Sequence, residues 1–95
     1  MGSYYQLRRT RPADETVQAL WDEANSRGSK SWLWLMLHRE RMAQVDAADE
    51  YDGIVHAYVC RALDALNMKD YASVRRAIRK MADHLSVELK DMEGQ

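Results

Sequence analysis

Apolar side chains recur along this chain at steps of three and four residues, the spacing that stacks them on one face of a helix. Val17, Leu20, Trp21 and Ala24 fall at i, i+3, i+4 and i+7 and predict a first helix. Pro12 suits its opening turn, Asp14 and Glu15 sit at the positive end of its dipole, and Gly28 is the expected left-handed stop. A second helix, capped by Ser29 or Ser31, is expected to run to about Asp46. The third is expected to begin near Asp49, with Tyr51, Ile54, Val55, Tyr58, Val59, Ala62, Leu63 and Leu66 on one broad face. Ala47 and Ala48 are good helix formers and Gly53 is a defect of only about 1 kcal/mol, so fusion of the second and third helices stays open at this point. Asn67 and Met68 end the third helix, and Asp70 caps the fourth. The fourth has the cleanest period: Tyr71, Val74, Ile78, Met81, Leu85 and Met92 keep to three- and four-residue steps, with Glu88 the one break and Leu89 beside it, and call for a partner helix along most of their length.

The second helix breaks the pattern. Trp32 to Leu37 is an uninterrupted apolar run, and at about 100° per residue Trp32 and Trp34 cannot share a face. Further on, Leu35, Met42 and Val45 keep one stripe, while Arg39, Glu40, Arg41 and Gln44 cover much of the remainder. The stripe predicts Leu35 in the core, with the first two turns of the helix buried on several sides. Two readings of the run follow. It is either the deep half of a central helix, or part of it (Trp32, Leu33, Trp34, Leu37) faces a second protein, where Trp is enriched at hot spots.

Composition narrows the rest. The chain has 95 residues, enough for one core, and buries roughly 60 to 70% of its unfolded surface. Gly and Pro are scarce, at 4 and 1 residues, which favours helix. The fold expected is therefore all-α, a compact bundle of about four helices in a single helical domain, residues 12–95, behind a short irregular N-terminal arm, residues 1–11. Three Trp and five Tyr are more than such a core readily hides, so a homo-oligomer or a dedicated protein partner is expected. A net charge of −1 gives no global field to attract nucleic acid or acidic lipid. The lone Cys60 rules out an intrachain disulfide, and the apolar run is far short of the roughly 20 residues needed to cross a membrane. No charged, then apolar, leader opens the chain, and Gln6 stands where a myristoylation signal needs Ser or Thr, so a cytoplasmic protein without membrane contact is expected.

Candidate chemistry is sparse. His56, Cys60 and Asp64 form a row on the third helix that has the residue types of a nucleophile with its base, or of half a metal site. It has no second Cys and no Gly-rich oxyanion turn. The acidic cluster Asp46, Asp49, Glu50 and Asp52 before Gly53 fails as a calcium loop, because Ala48 and Val59 stand where ligands are required. No metal or other cofactor is expected. Arg75, Arg76, Arg79 and Lys80 on the fourth helix, with Arg8, Arg9 and Arg11 of the arm beside Tyr4 and Tyr5, could track phosphates. Asp83 and the acidic tail oppose that use.

RKMADH, Arg79 to His84, has an Arg-x4-His spacing and in that respect resembles the HEPN-type ribonucleases, which carry it on a small all-helical dimer. The resemblance covers two residues and the fold class. Positions five apart point about 140° from each other in an unbroken helix, so shared phosphate contact would require a break there. The function expected is a small non-enzymatic protein-binding module, an adaptor, inhibitor or regulator of a larger partner, of a size that suits bacterial or mobile-element accessory proteins. The alternative is a nucleic-acid-binding regulator using the arm and the fourth helix, and the distant alternative a HEPN-like ribonuclease.

Overall fold

A computed structural model describes residues 12–26 and 30–90. The arm at residues 1–11, Gly28, Ser29 and Met92 lie outside the described residues. The described residues form an all-α bundle of four helices: α1 (Asp14–Asn25), α2 (Lys30–Asp46), α3 (Gly53–Asn67) and α4 (Tyr71–Leu85). They form a closed ring in which α1 packs on α2 and α4, and α3 packs on α2 and α4. The diagonal pairs, α1 with α3 and α2 with α4, are not neighbours. Each helix therefore turns one stripe inward and leaves its opposite side to solvent.

The α1 stripe is buried as its period predicts, with Val17, Leu20, Trp21 and Ala24 in the core. Ala13 is the N-cap, so Pro12 stands just before the helix, and Thr16 and Val17 donate to the Ala13 carbonyl at 2.9 and 3.1 Å. From α3 come Val55, Val59, Ala62, Leu63 and Leu66, and from α4 Val74, Ala77, Ile78, Met81 and Ala82. Small residues on both helices, Ala62 on α3 with Ala77 and Ala82 on α4, lie in the core where the two pack together. Each large aliphatic buried here contributes about 1.5–3 kcal/mol of transfer free energy.

Two corrections concern α2 and its exit. The inward stripe is Leu33, Leu37, Glu40, Gln44 and Ala47, not Leu35, Met42 and Val45. Leu35 and Met42 are partly exposed, and Val45 is 58% exposed. The physical reason is that two polar residues take core positions: Glu40 is 1% and Gln44 0% exposed. Gln44 Oε1 accepts from the Asp52 N–H at 3.1 Å, which anchors the segment leaving the helix. That segment is not helical, so α2 and α3 are separate, and α3 starts at Gly53 with Asp52 as its N-cap, not near Asp49. Of the broad α3 face, Tyr51 and Ile54 are left exposed because they precede or open the helix.

Helix ends explain the remaining geometry. At the end of α3, Asp70 N–H bonds Ala65 O and Lys69 N–H bonds Leu66 O, both at 2.9 Å, with Lys69 left-handed at φ 62°. This Schellman pattern delivers Asp70 directly as the N-cap of α4, where it accepts from Ser73 N–H at 3.2 Å. Val87 N–H to Ala82 O at 2.8 Å, with Ser86 at φ 61°, repeats the pattern at the end of α4. The helix thus stops at Leu85, and its heptads do not continue toward Met92. The chain turns back over α1, where the Gln18 amide accepts from Lys90 N–H at 2.9 Å and donates to Lys90 O at 3.1 Å.

Candidate functional site

The residues singled out from the sequence separate in the structure according to helical phase. Leu33 and Leu37 lie on the inward stripe at 1% and 0% exposure, so no partner reaches them in the folded subunit. Their place on the candidate binding surface is corrected by helical phase, since they stand one turn apart on the side of α2 that packs into the core. Trp32 and Trp34 flank that stripe on opposite sides and remain 54% and 39% exposed. Expecting the whole run to be buried on several sides is corrected with them, because among the described helices α2 packs on α1 and α3 alone.

Trp34 heads an ordered ladder one turn apart along α2. Its ring stacks on His38 with centroids 4.8 Å apart and planes 11° from parallel. The His38 ring is in turn met by Arg41 Nη2 at 3.4 Å from Nδ1. Val45 continues the same line, and Leu35 and Met42 lie beside it. Helical spacing of i, i+4, i+7 and i+11 produces this row without help from any other element. The row borders an outer face on which Leu35 and Met42 are partly exposed. Of the other aromatics, Trp21 is core, Tyr58 and Tyr71 pack partly buried against the core, and Tyr51 is exposed.

The basic side chains of α4 are drawn onto the fold itself. Arg75 Nη1 donates to the Ala24 carbonyl at 3.4 Å, and the Arg79 guanidinium sits 4.6 Å from the centroid of the buried Trp21 ring. Arg76 Nη1 donates to Ser73 Oγ at 3.3 Å, and Lys80 is exposed. Arg8, Arg9 and Arg11 lie outside the described residues. Arg79 and His84 are not brought together. The helix is continuous between them, Arg79 faces α1, and His84 Nε2 bonds Asp52 Oδ2 at 3.0 Å at the start of α3.

Cys60 Sγ lies 3.5 Å from His56 Nε2, and the tilted Tyr51 ring lies 5.5 Å from the imidazole. Among the described residues, His56 Nδ1 is buried without a hydrogen-bond partner. Among the described residues, no group of three or more His, Cys, Asp or Glu is placed to hold a metal ion. The acidic residues before α3 have a structural use. Asp52 Oδ1 accepts from Ile54 and Val55 N–H groups at 3.0 and 3.1 Å. Burial raises the Asp52 carboxyl, but the Val55 N–H, the His84 ring and the Ile54 N–H outweigh it and hold the group below its ordinary value.

No helix among the described residues is long and apolar enough to cross a membrane. In comparison with known proteins, no family model, no curated protein and no solved structure matches the chain.

Proposed function

We propose that the protein is a non-enzymatic protein-binding module, an adaptor, inhibitor or regulator of a larger protein, and that the outer face of α2 is its binding surface. The observation that carries this reading is the exposure of Trp32 and Trp34, at 54% and 39%, on one helix of a small bundle. Tryptophan presents a large apolar ring with a single donor, which suits a surface that is alternately wet and covered. Val45 at 58% exposure extends the apolar surface along the helix, and contiguous apolar exposure of this kind marks interaction sites. The α4 cations do not favour a nucleic-acid reading, because Arg75 and Arg79 are engaged on α1.

The test is capture of partners from the native host by wild-type protein, by Trp34→Ala and by Lys80→Glu. Loss of a hot-spot side chain costs more than about 2 kcal/mol of binding, roughly thirtyfold. Trp34→Ala is expected to lose the captured partner while keeping its helical content, and Lys80→Glu to retain it. Retention by Trp34→Ala with loss by Lys80→Glu would move the binding surface to α4.

A further inference from the structure

Charge and apolar surface coincide where α2 gives way to α3. From Met42 to Cys60 the chain has no Lys or Arg and has four carboxylates, Asp46, Asp49, Glu50 and Asp52, although the whole chain carries a net charge of only −1. Asp52 is engaged as the cap of α3 and by His84. Asp46, Asp49 and Glu50 are exposed, and their carboxylates make no hydrogen bond or ion pair with the described residues. Of the basic groups at this end of the bundle, His84 is bonded to Asp52 and Arg41 to His38. Lys80, exposed one turn before His84 on α4, leaves the three carboxylates in excess. Two large apolar side chains stand among them: Tyr51 is 51% and Ile54 50% exposed, and they wall an open groove of about 530 Å³ lined from Glu50 to Ile54. The Tyr51 ring is backed by His56, at 5.5 Å between centroids, and lies 3.6 Å from where a Gly53 Cβ would stand. It is thus held against the start of α3, and Gly53 adds no side chain to fill the groove.

We propose that this corner is a docking surface separate from the outer face of α2, and that it takes a basic segment of a partner protein in which an aliphatic side chain is flanked by Lys or Arg. The aliphatic side chain enters between Tyr51 and Ile54, and the flanking cations meet Asp49 and Glu50, with Asp46 at the end of α2 as a further anion. A cation over the open part of the Tyr51 ring is attracted by its face as well. The sign of the charge selects the occupant, since nucleic acid, anionic lipid and acidic segments are all repelled by it. A bare metal ion does not fit, because no three His, Cys, Asp or Glu side chains among the described residues are placed to share one. Charge spread along a surface beside an apolar groove suits a chain of cations with an apolar residue among them.

The experiment uses the full chain and labelled peptides of about ten residues: leucine flanked by lysines, the same peptide with Glu or Gln in place of Lys, and the lysine peptide with Gly in place of Leu. Fluorescence anisotropy gives the affinities, and amide NMR shifts of the protein locate the contact. The Lys–Leu peptide is expected to bind at least about tenfold tighter than the other three, to weaken as salt is raised, and to shift amides between Asp49 and Val55. Asp49→Asn combined with Glu50→Gln is expected to abolish the preference for Lys, and Ile54→Ser the preference for Leu. Should Ile54→Ser fail to fold, Gly53→Ala, which favours helix and sets a methyl beside the Tyr51 ring, is expected to weaken the Lys–Leu peptide instead. Equal binding of the Leu and Gly peptides overturns the groove, and no binding of the Lys–Leu peptide at low salt overturns the proposal. Binding lost in Trp34→Ala, with the Asp49 to Val55 amides unmoved, overturns this surface while leaving the α2 reading intact. Shifts of those amides in the free protein on Arg8→Glu with Arg9→Glu overturn the partner in favour of the chain's own arm. Self-association abolished by Ile54→Ser overturns it in favour of a second copy.

Discussion

Replacing Asp52 probes the joint on which three helices meet. Its Oδ1 caps α3 through two N–H groups, its Oδ2 holds His84 near the end of α4, and its own N–H is held by Gln44 of α2. Asp52→Ala removes the cap, worth about 1 kcal/mol within a range of about 0.5–2. It also removes the bond to His84, which keeps 30% of its side chain exposed, so solvent limits that pair to about 0.2–1 kcal/mol. The expected loss at neutral pH is therefore about 1–3 kcal/mol. Asp52→Asn keeps an N-capping oxygen and gives up the anionic acceptor for His84, so its loss is smaller, about 0.5 kcal/mol. The folded-state carboxyl lies below the ordinary value of 3.8, so its contribution is complete above that value and is lost as pH falls through the folded one. Urea unfolding followed by circular dichroism measures the effect, with slopes of about 1–3 kcal/mol per molar urea. The gap between wild type and Asp52→Ala is expected to persist at pH 5 and to shrink below about pH 4. A deficit under about 0.5 kcal/mol, or equal losses for Asn and Ala, would refute this account of the joint. So would a gap unchanged at the lowest pH that still gives a native baseline.

Other substitutions test the phase of α2 and the helix stops. Leu37→Ala is expected to cost about 2–5 kcal/mol in urea unfolding, and the partly exposed Leu35→Ala distinctly less; the reverse order would return Leu35 to the core. Ser86→Gly and Lys69→Gly relieve left-handed backbone at side-chain-bearing residues and are expected to stabilise by up to about 1 kcal/mol each, measured by the same midpoint.

The parts of the fold readable in the sequence are those where apolar residues alone mark the inward face. The α1 stripe and most of the α3 and α4 stripes satisfy that condition, as does the Asp70 cap between them. On α2 the condition fails twice. The Trp32–Leu37 run has no apolar phase of its own, and the stripe that continues Leu33 and Leu37 passes through Glu40 and Gln44, which polarity alone assigns to solvent. The spacing of Leu33, Leu37, Glu40, Gln44 and Ala47, steps of four and three, was the available signal, legible only if buried polar groups are admitted to a core. Several acids between Asp46 and Asp52 competed as the cap of α3, and the one that prevails also has His84 and Gln44 within reach, a tertiary fact. The stop of α4 at Ser86 carries no glycine and so no local mark. Of the candidate surface, the exposed Trp pair was legible as an excess of aromatic area. That Leu33 and Leu37 belong behind it follows only from knowing which face α1 and α3 cover.

Site-specific photo-crosslinking in the native host tests the central claim most directly. A photoreactive phenylalanine analogue is placed at the position of Trp32, of Trp34 or of Lys80, one at a time. The account predicts a discrete protein adduct from position 32 or 34, on the outer face of α2, and none from position 80 on α4. An adduct from position 80 alone, with both α2 positions silent, would contradict it.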